Sequence, residues 1–268
     1  MTSAEIARLA RKALEEEVLL TPKPGLVDRR NTGAHTDMDA DTFLRSAAAL
    51  EPCFVRLAQA GGAGASIPAA ETLRLLRPIG LEGESAMYRA TGGVNTHKGA
   101  LFSMGLLCAA AGRLQAMERA LTIGALCRTA AETASGISAE LSGSGTNGLD
   151  ACRRYGGRGV RGEAEAGFPS VRELALPAYH AARAARSHDE AALAALLALM
   201  ENVDDTTVLH RVGREGLCWL QEQAKALPPL PEKAALEAMD DRCIARNISP
   251  GGCADLLAVM LFLLHFPA

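Results

Sequence analysis

The segment TGGVNTHKGALFSMGLLCAAAG, residues 91–112, decides the fold class of this chain. It opens as a glycine loop at Gly92 and Gly93, and beyond Asn95 its apolar residues recur at the spacing of an α-helix. Aromatic residues make up only 4% of the chain, and no stretch shows the alternation of β-branched residues that marks strands. We therefore expect an all-α protein.

The helix predicted after the glycine loop begins with His97 and Lys98. Asn95 can cap this helix by accepting a hydrogen bond from a free backbone N–H. A lysine in the first turn opposes the positive end of the helix dipole, which costs about 0.3 to 1 kcal/mol. A glycine loop, a helix N-terminus and a lysine together suit a phosphate group. We therefore expect Gly92, Gly93, Asn95, His97 and Lys98 to bind an anion.

The composition predicts one compact domain over residues 1–268, with 49% hydrophobic residues to fill its core. The net charge of −3 provides no basic field to attract nucleic acid. The seven cysteines show no CxxC spacing, which favours a reducing compartment and argues against a structural zinc site. We expect a cytoplasmic protein without nucleic-acid partners, and the sequence leaves its oligomeric state open, a homodimer included.

No segment predicts a membrane anchor. The amino terminus has the pattern of an amphipathic helix, with apolar residues at helical spacing and four glutamates, and not that of a signal peptide. The longest apolar run, residues 256–266, is shorter than the roughly 20 residues that a membrane span needs. We therefore expect no membrane partner.

Helical patterns follow one another along the chain without a repeat or a linker between them. Their approximate ranges are residues 3–20, 40–60, 68–77, 82–90, 96–112, 115–140, 170–186, 189–201, 206–227, 232–246 and 250–266.

Two long connections interrupt these helices, and long irregular loops in compact domains are often functional. The first covers residues 22–39 and the second residues 155–169. The alternative interpretation is that both are solvated loops whose acidic residues only cap the next helix. Their charged or titratable residues include Lys23, His35, Asp37, Arg158, Arg161 and Glu163.

A third polar cluster, Asp204 and Asp205, precedes a helix predicted to start near Thr206. Capping of that helix is the alternative to a functional role, because aspartate is among the best N-cap residues. An aspartate-rich metal motif like that of isoprenoid synthases is excluded, since Val208 replaces its third aspartate.

The fourth cluster opens the last helix. Ser249 is a good N-cap and Pro250 suits the first helical position. Gly251 and Gly252 follow, and because glycine costs about 1 kcal/mol in a helix, the pair suggests that another group approaches the backbone closely. Asp255 begins a helix that is apolar on nearly every side, so its carboxylate needs a partner there. That partner is a cation, a ligand rich in donors, or an arginine.

Two familiar nucleotide motifs lack the context that they require. GSGTNG, residues 143–148, matches a dinucleotide-binding pattern but follows a predicted helix and not a strand, so we interpret it as a loop. GGVNTHKG lacks the glycine before the lysine and the hydroxyl residue after it that a phosphate-binding Walker A loop has.

Five segments occur in an order and spacing that resemble a known family. They are TPKPGLVDRRNTGAHTDMD, ATGGVNTHKGALFSMGLL, YGGRGVRGEAEAGFPSV, DDTTVLHR and NISPGGCADLLA. Over nearly its whole length the chain resembles the triphosphoribosyl-dephospho-coenzyme A synthase family. This family transfers the triphosphoribosyl group of ATP to the 2'-hydroxyl of 3'-dephospho-CoA and releases adenine, which yields the prosthetic-group precursor of citrate lyase or malonate decarboxylase. Three positions depart from its pattern, Thr207, Val212 and Cys253, where Asn, Gly and Ser would be expected.

The resemblance implies cleavage of an N-glycosidic bond, and therefore an acid for the leaving purine and a carboxylate near the anomeric carbon. The candidates are Asp37, His35, Glu163 and Asp205. We expect Asp37 to act as base or electrostatic partner and Glu163 as acid, or the reverse.

The resemblance also implies sites for the phosphates of both substrates. Lys98, Lys23 and Arg161 would hold the triphosphate together with Mg²⁺, for which Asp205 and Asp255 would be ligands.

A second anion site is predicted at the start of the last helix, where it would bind the pyrophosphate of the acceptor. Its residues are Asn247, Ser249, Gly251 and Gly252. If these assignments are right, residues from most of the chain must converge on one cleft.

Two other functions fit parts of the sequence. A Mg²⁺-dependent hydrolase that resembles ADP-ribosyl hydrolases would use water in place of the acceptor, and would need no second anion site. A helical adaptor or nucleotide-binding regulator without catalytic activity would need a broad apolar or charged face. The unusual residues of this chain are instead concentrated in loops, which favours the transferase.

Overall fold

The computed structural model describes residues 1–140, 147–156 and 159–268. These residues form twelve α-helices and no β-strand, which confirms the all-α prediction. In chain order the helices are α1 (Ser3–Leu19), α2 (Ala40–Ala63), α3 (Ala69–Ala90), α4 (Lys98–Ala116), α5 (Ile123–Thr133), α6 (Asn147–Tyr155), α7 (Gly159–Glu165), α8 (Leu176–Arg183), α9 (His188–Asn202), α10 (Thr206–Ala226), α11 (Lys233–Ala245) and α12 (Gly251–Leu263).

Helices α4 and α12 form the centre of the fold. Leu107 and Cys108 of α4 are fully buried, as are Val259 and Phe262 of α12. Helix α12 contacts α1, α4, α9 and α10, while α4 also contacts α1, α2, α3 and α5. A helix that is apolar around its whole circumference belongs inside a bundle, which is where α12 was predicted to lie. None of the described helices could cross a membrane.

Glycines bring α2 and α4 into close contact. A Cβ on Gly61 would lie 2.0 Å from the carbonyl oxygen of Ala109, and one on Gly112 would lie 1.9 Å from the carbonyl oxygen of Ala58. Real Cβ atoms cannot approach an oxygen so closely, so the two backbones touch only because both positions are glycine. This contact fixes the position of α4, and with it the start of α4 at the cavity described below.

Helix α3 is continuous where the sequence predicted a break between residues 77 and 82. Pro78 lies inside the helix and is exposed. One turn later, a Cβ on Gly83 would lie 2.6 Å from Sγ of Cys53 on α2. Packing against α2 and α4 thus outweighs the tendency of proline to break a helix.

Two other predicted boundaries are wrong. The helix expected over residues 115–140 is divided, because α4 ends at Ala116 and Glu118 adopts a φ of 54°. Thr122 then caps α5 by accepting a hydrogen bond from the backbone N–H of Ala125 at 3.2 Å. The second predicted loop contains α7, so it is not a continuous loop.

Part of the glycine-rich sequence falls outside the described residues. This applies to Arg158 and to residues 143–146 of the predicted GSGTNG loop, whose last two residues instead begin α6.

The first long loop, residues 22–39, is irregular as predicted, and two aspartates hold it in place. Asp28 accepts a hydrogen bond from the backbone N–H of Lys23 at 2.8 Å. Asp240 on α11 accepts from the backbone N–H of Gly25 at 2.8 Å and from Nδ2 of Asn31 at 2.7 Å. The loop is therefore fastened to the body of the protein on both sides of its turn, which positions the residues that follow it.

We predict that Gly112→Ala destabilises the protein by about 1 to 3 kcal/mol, because the added methyl group forces α2 and α4 apart. Gly80→Ala on α3 is the matched control, since no atom lies within 4 Å of a Cβ at that position. It should stabilise the helix by up to about 1 kcal/mol. Urea unfolding of both variants measures the difference, and equal midpoints would contradict the close contact.

Candidate active site

A cavity of about 1560 Å³ opens between the first loop, α3, α7 and the starts of α4, α10 and α12. Most residues that the sequence singled out line it, so the predicted convergence on one cleft is confirmed. They are Lys23, His35, Asp37, Asn95, His97, Lys98, Arg161, Glu163, Asp205, Asn247, Ser249, Gly251, Gly252 and Asp255.

Gly92 and Gly93 are not part of the cavity lining. Both have a positive φ, 67° and 93°, and the backbone N–H of Gly93 donates to the carbonyl oxygen of Tyr88 at 2.8 Å. Their structural contribution is the turn between α3 and α4, because glycine adopts this region of φ without strain. Direct anion binding by these two residues has no support in the geometry.

Asp205 caps two helices at once. Its Oδ1 accepts hydrogen bonds from the backbone N–H groups of Thr207 at 2.8 Å and Val208 at 3.2 Å, in the first turn of its own helix α10. Its Oδ2 accepts from the backbone N–H of Cys253 at 2.8 Å, in the first turn of α12. Burial raises the pKa of this carboxyl group, and the three N–H donors oppose that shift.

Asp255 performs the same task for α4. It extends from the first turn of α12 and accepts a hydrogen bond from the backbone N–H of Ala100, the third residue of α4. A Cβ on Gly99 would lie 2.1 Å from Oδ2 of Asp255, so glycine is required there. Burial raises the pKa of Asp255 well above its usual value, and the acidic neighbours Glu17 and Asp205 raise it further.

These contacts change the interpretation of both predicted anion sites. The backbone N–H groups at the starts of α4 and α12 already donate to a carboxylate. The positive end of each helix dipole stabilises this negative charge. The predicted cap Ser249 does not cap α12, since its Oγ lies 2.9 Å from Nε2 of His35. The group that approaches Gly252 closely is Asp205, whose Oδ2 would lie 3.1 Å from a Cβ there.

Lys98 has a protein partner in this structure. Its Nζ lies 2.8 Å from Oε2 of Glu84 on α3, and both side chains are half-buried. The backbone N–H of Lys98 donates to Oδ1 of Asn95 at 3.3 Å. The unfavourable position of a lysine at a helix start is thus offset by two carboxylates, Glu84 and Asp255, without any phosphate.

Lys23 is buried and forms an ion pair with Glu17 of α1. Burial raises the pKa of Glu17, while Lys23 lowers it. The sequence analysis did not single out Glu17, although it follows Ile6, Ala10 and Ala13 on the buried face of α1. A charged residue at an apolar position of an amphipathic helix was the signal that could have identified it.

His97 is held rigidly at the cavity wall. Oγ of Ser46 lies 2.8 Å from its Nδ1, and Oγ1 of Thr96 donates to Ser46 Oγ at 2.7 Å. The ring packs edge-on against Phe43, and its backbone N–H donates to the sulfur of Met87. Because Ser46 accepts from Thr96, its own proton can be donated to Nδ1, which leaves the imidazole proton on Nε2.

Burial and the charge of Lys23 lower the pKa of His97 to about 3. The imidazole is therefore neutral at physiological pH. Its Nε2 is buried and finds no hydrogen-bond partner among the described residues.

His35 and Asp37 form a second titratable pair. Nδ1 of His35 lies 3.6 Å from Oδ1 of Asp37, whose side chain is exposed. Burial and the nearby charge of Arg211 lower the pKa of His35, while Asp37 opposes the shift. Arg211 also donates from Nε to the carbonyl oxygen of Asn247 at 3.1 Å. It lines the cavity, and the sequence analysis missed it although it ends the DDTTVLHR segment.

Glu163 of α7 also lines the cavity. Its Oε1 accepts a hydrogen bond from Oγ of Ser170 at 2.6 Å, and its Oε2 accepts from the backbone N–H of Ser170 at 3.2 Å. Both oxygens of this carboxylate accept hydrogen bonds from Ser170, which fixes its orientation.

The chain is similar to a family of nucleotide-dependent transferases. The model of the ATP:dephospho-CoA triphosphoribosyl transferase family matches residues 3–267. The 2-(5''-triphosphoribosyl)-3'-dephosphocoenzyme-A synthase of Pectobacterium atrosepticum is 48% identical over 261 residues, which cover 95% of this chain and 87% of that relative. The protein of the same name from Escherichia fergusonii is 45% identical over 277 residues, 98% of this chain and 91% of the relative. No solved structure matches the chain.

The low pKa of His97 predicts a specific loss of stability in acid. Its pKa falls from 6.5 to about 3 on folding, so the unfolded chain binds the proton more readily between these values. Stability therefore decreases as the pH falls, by about 2 kcal/mol from this residue between pH 7 and pH 5. Urea midpoints at the two pH values should differ less in His97→Gln than in the wild type.

Substitution of the exposed His180 by glutamine is the control for this measurement. It should keep the full difference of the wild type between the two pH values. A His97→Gln variant with an unchanged difference would show that His97 titrates alike in the folded and unfolded states.

Proposed function

The chain belongs to the ATP:dephospho-CoA triphosphoribosyl transferase family, and from this membership we propose how its cavity carries out the transfer. The protein is an enzyme of the transferase class, as its resemblance to this family implied. We propose that the reaction takes place in the cytoplasm, where ATP is available. The product would be the precursor of the prosthetic group of citrate lyase or malonate decarboxylase.

The size of the cavity is the observation that carries the proposal. Pockets for one small ligand usually measure about 300 to 1,000 Å³. The cavity here, at about 1560 Å³, has room for two nucleotides side by side. Transfer between two bound substrates uses this room, whereas a hydrolase would need space for only one nucleotide and water.

The reaction exchanges one bond at the anomeric carbon of the ATP ribose. The bond from C1' to N9 of adenine breaks, and its electron pair leaves with the purine. The 2'-oxygen of dephospho-CoA forms the new bond to C1', and the proton that it loses balances the negative charge on adenine. A general base for the hydroxyl and a general acid for the purine each lower the barrier.

His35 and Asp37 are the proposed base. The lowered pKa of His35 keeps its imidazole neutral and able to accept a proton. The carboxylate of Asp37, 3.6 Å away, would stabilise the imidazolium that forms. In this proposal Asp37 is the electrostatic partner and His35 receives the proton, a division of roles that the sequence left open.

Glu163 is the proposed acid for the leaving adenine. Its orientation by Ser170 holds the carboxyl group at the cavity wall. His97 is a poor general acid, because its pKa of about 3 leaves almost no imidazolium at neutral pH. We therefore assign His97 to binding and Glu163 to proton transfer.

The triphosphate would bind near the start of α4. Lys98 can exchange its carboxylate partner Glu84 for phosphate oxygens, since both side chains are half-buried and not locked in the core. Arg161 lines the same cavity and would supply a second cation. Lys23 is already neutralised by Glu17, so its contribution is at most a long-range one.

Mg²⁺ is part of the proposal because phosphate must approach a wall that contains carboxylates. Asp255 fits the ion: it faces the cavity, and burial together with its two acidic neighbours raises its pKa, a shift that a bound cation would oppose. Asp205 fits less well, because three backbone N–H groups occupy its oxygens. Asp255 would help to hold such an ion, which would supply positive charge to neutralise the phosphates.

The function is tested by the release of adenine. The purified protein with ATP and Mg²⁺ should release adenine when dephospho-CoA is added, and should release none without it. Intact CoA is the control acceptor, and its 3'-phosphate should make it poor through steric exclusion and unmatched charge. Release without any acceptor would instead identify a hydrolase, and equal use of CoA would contradict recognition of the free 3'-hydroxyl.

Lys98→Met tests the assignment of the triphosphate site. The variant keeps the length of the side chain and removes its charge, so ATP should bind about ten- to a hundredfold more weakly. The ligand-free protein should change by less than about 1 kcal/mol, because the pair with Glu84 is partly exposed and the helix dipole opposes the lysine.

Lys12→Met on α1 is the matched control, since Lys12 also pairs with a glutamate, Glu16, but lies away from the cavity. Thermal melts with and without Mg²⁺ and ATP measure both variants. If Lys98→Met lowers the melting temperature of the free protein and keeps the shift induced by ATP, Lys98 is a structural ion-pair partner.

A further inference from the structure

One face of α3 lines the cavity along the length of the helix. Leu76, Gly80, Glu84 and Tyr88 follow at intervals of four residues and all contribute to the lining. The second half of this face is polar, because Glu84 pairs with Lys98. The first half is mostly apolar apart from Arg77, and apolar residues of α4 line the cavity with it. We call the residues Leu73, Leu76, Leu81, Leu101, Phe102 and Leu106 the α3–α4 wall.

Gly80 leaves open space beside this wall. It lies inside α3, where glycine costs about 1 kcal/mol relative to alanine. A close neighbour explains Gly83 in the same helix, where Cys53 leaves no room for a Cβ, but no atom lies within 4 Å of a Cβ on Gly80. The missing side chain therefore enlarges the cavity and serves no contact within the described part of the protein.

Ser103 supplies a polar group next to the wall. It lies on α4 beside Phe102, lines the cavity and is only 1% exposed. Its Oγ has no hydrogen-bond partner among the described residues. A buried hydroxyl without a partner costs about 1 to 3 kcal/mol, so a ligand that hydrogen-bonds to it would recover this free energy.

We propose that the α3–α4 wall, with Gly80 and Ser103, binds the pantetheine arm of dephospho-CoA. The inference rests on the proposed function, and it assigns one end of the cavity to one end of the acceptor. The arm is uncharged, long and mostly apolar, and it carries amide groups that can hydrogen-bond to the hydroxyl of Ser103. Its chemistry matches a wall of leucine and phenylalanine with one unpaired hydroxyl group.

The leucines of the α3–α4 wall disfavour the triphosphate. Leu73, Leu76 and Leu106 offer phosphate neither a donor nor a cation, whereas Lys98 lies at the start of α4 beside Glu84. Arg77 of α3 also lines the cavity next to Leu76, where its side chain is exposed to solvent. A neutral arm avoids the large desolvation penalty that a phosphate would meet there.

Gly80→Phe tests the proposal, because a Cβ at this position meets no atom within 4 Å and the ring beyond it would take up space beside the wall. The rate of adenine release gives the KM of each substrate. At saturating ATP, the same assay with added ADP gives the inhibition constant of ADP as a competitor of dephospho-CoA. ADP has the nucleotide end of the acceptor and lacks the arm. The variant should raise the KM of dephospho-CoA at least about tenfold and leave the KM of ATP and the constant for ADP within about twofold.

Ser85→Phe is the matched control, since Ser85 lies on the exposed side of the same helix and does not line the cavity. It should leave all three constants unchanged. The proposal is overturned if Gly80→Phe leaves the KM of dephospho-CoA within about twofold, or weakens ATP and ADP as much as dephospho-CoA. A wild-type protein that releases no adenine would instead refute the proposed function.

Ser103→Ala provides an independent readout. Removal of an unpaired buried hydroxyl should leave the free protein as stable as before or more stable. The variant should raise the KM of dephospho-CoA by about three- to tenfold and leave the inhibition by ADP unchanged, because only the arm reaches this position. An unchanged KM for dephospho-CoA would show that the arm does not contact Ser103.

Discussion

The site depends on two carboxylates that cap helices other than their own. Asp205 joins the start of α10 to the start of α12, and Asp255 then joins α12 to the start of α4. In each helix the N–H of the third residue is the donor, which is the group that an N-cap normally satisfies. Three helix starts are thereby fixed around one cavity. Glycine is required at position 99 because Asp255 approaches the backbone so closely, and at position 252 the approach of Asp205 leaves little room for a side chain.

The same carboxylates determine the electrostatics of the cavity. Helix starts with unpaired N–H groups would attract anions. Here the buried residues Asp205 and Asp255 already accept hydrogen bonds from those N–H groups. The cations that line the cavity are therefore side chains, and one of them, Lys98, is paired with Glu84. Burial raises the pKa of Asp255 most, and the negative charges of Glu17 and Asp205 raise it further. Phosphate binding at such a wall calls for added positive charge, which explains the place of Mg²⁺ in the proposed mechanism.

Helix α3 connects the two chemically different ends of the cavity. It presents Glu84 to the charged end and the small residue Gly80, one turn earlier, to the apolar end. In the proposed mode of binding, the continuity of α3 through Pro78 keeps these two ends on one helix. A break there, as its local sequence suggests, would separate the two ends and remove the common wall along which a long acceptor can extend.

The sequence by itself determined the helical fold, the burial of α12 and the irregular first loop. These features follow from periodicity, composition and turn residues, which act over a few neighbouring positions. The convergence of the polar clusters on one cavity was expected only through the family resemblance, because it joins residues that are distant in the chain. Only the tertiary structure decided which groups become partners. Asp205 accepts a hydrogen bond from Cys253, 48 residues further along the chain, and Lys98 pairs with Glu84 of another helix. No local pattern could therefore show that carboxylates already occupy the helix starts that were predicted to bind anions. The unbroken α3 has the same cause, because packing between distant segments outweighs the local preference of proline and glycine.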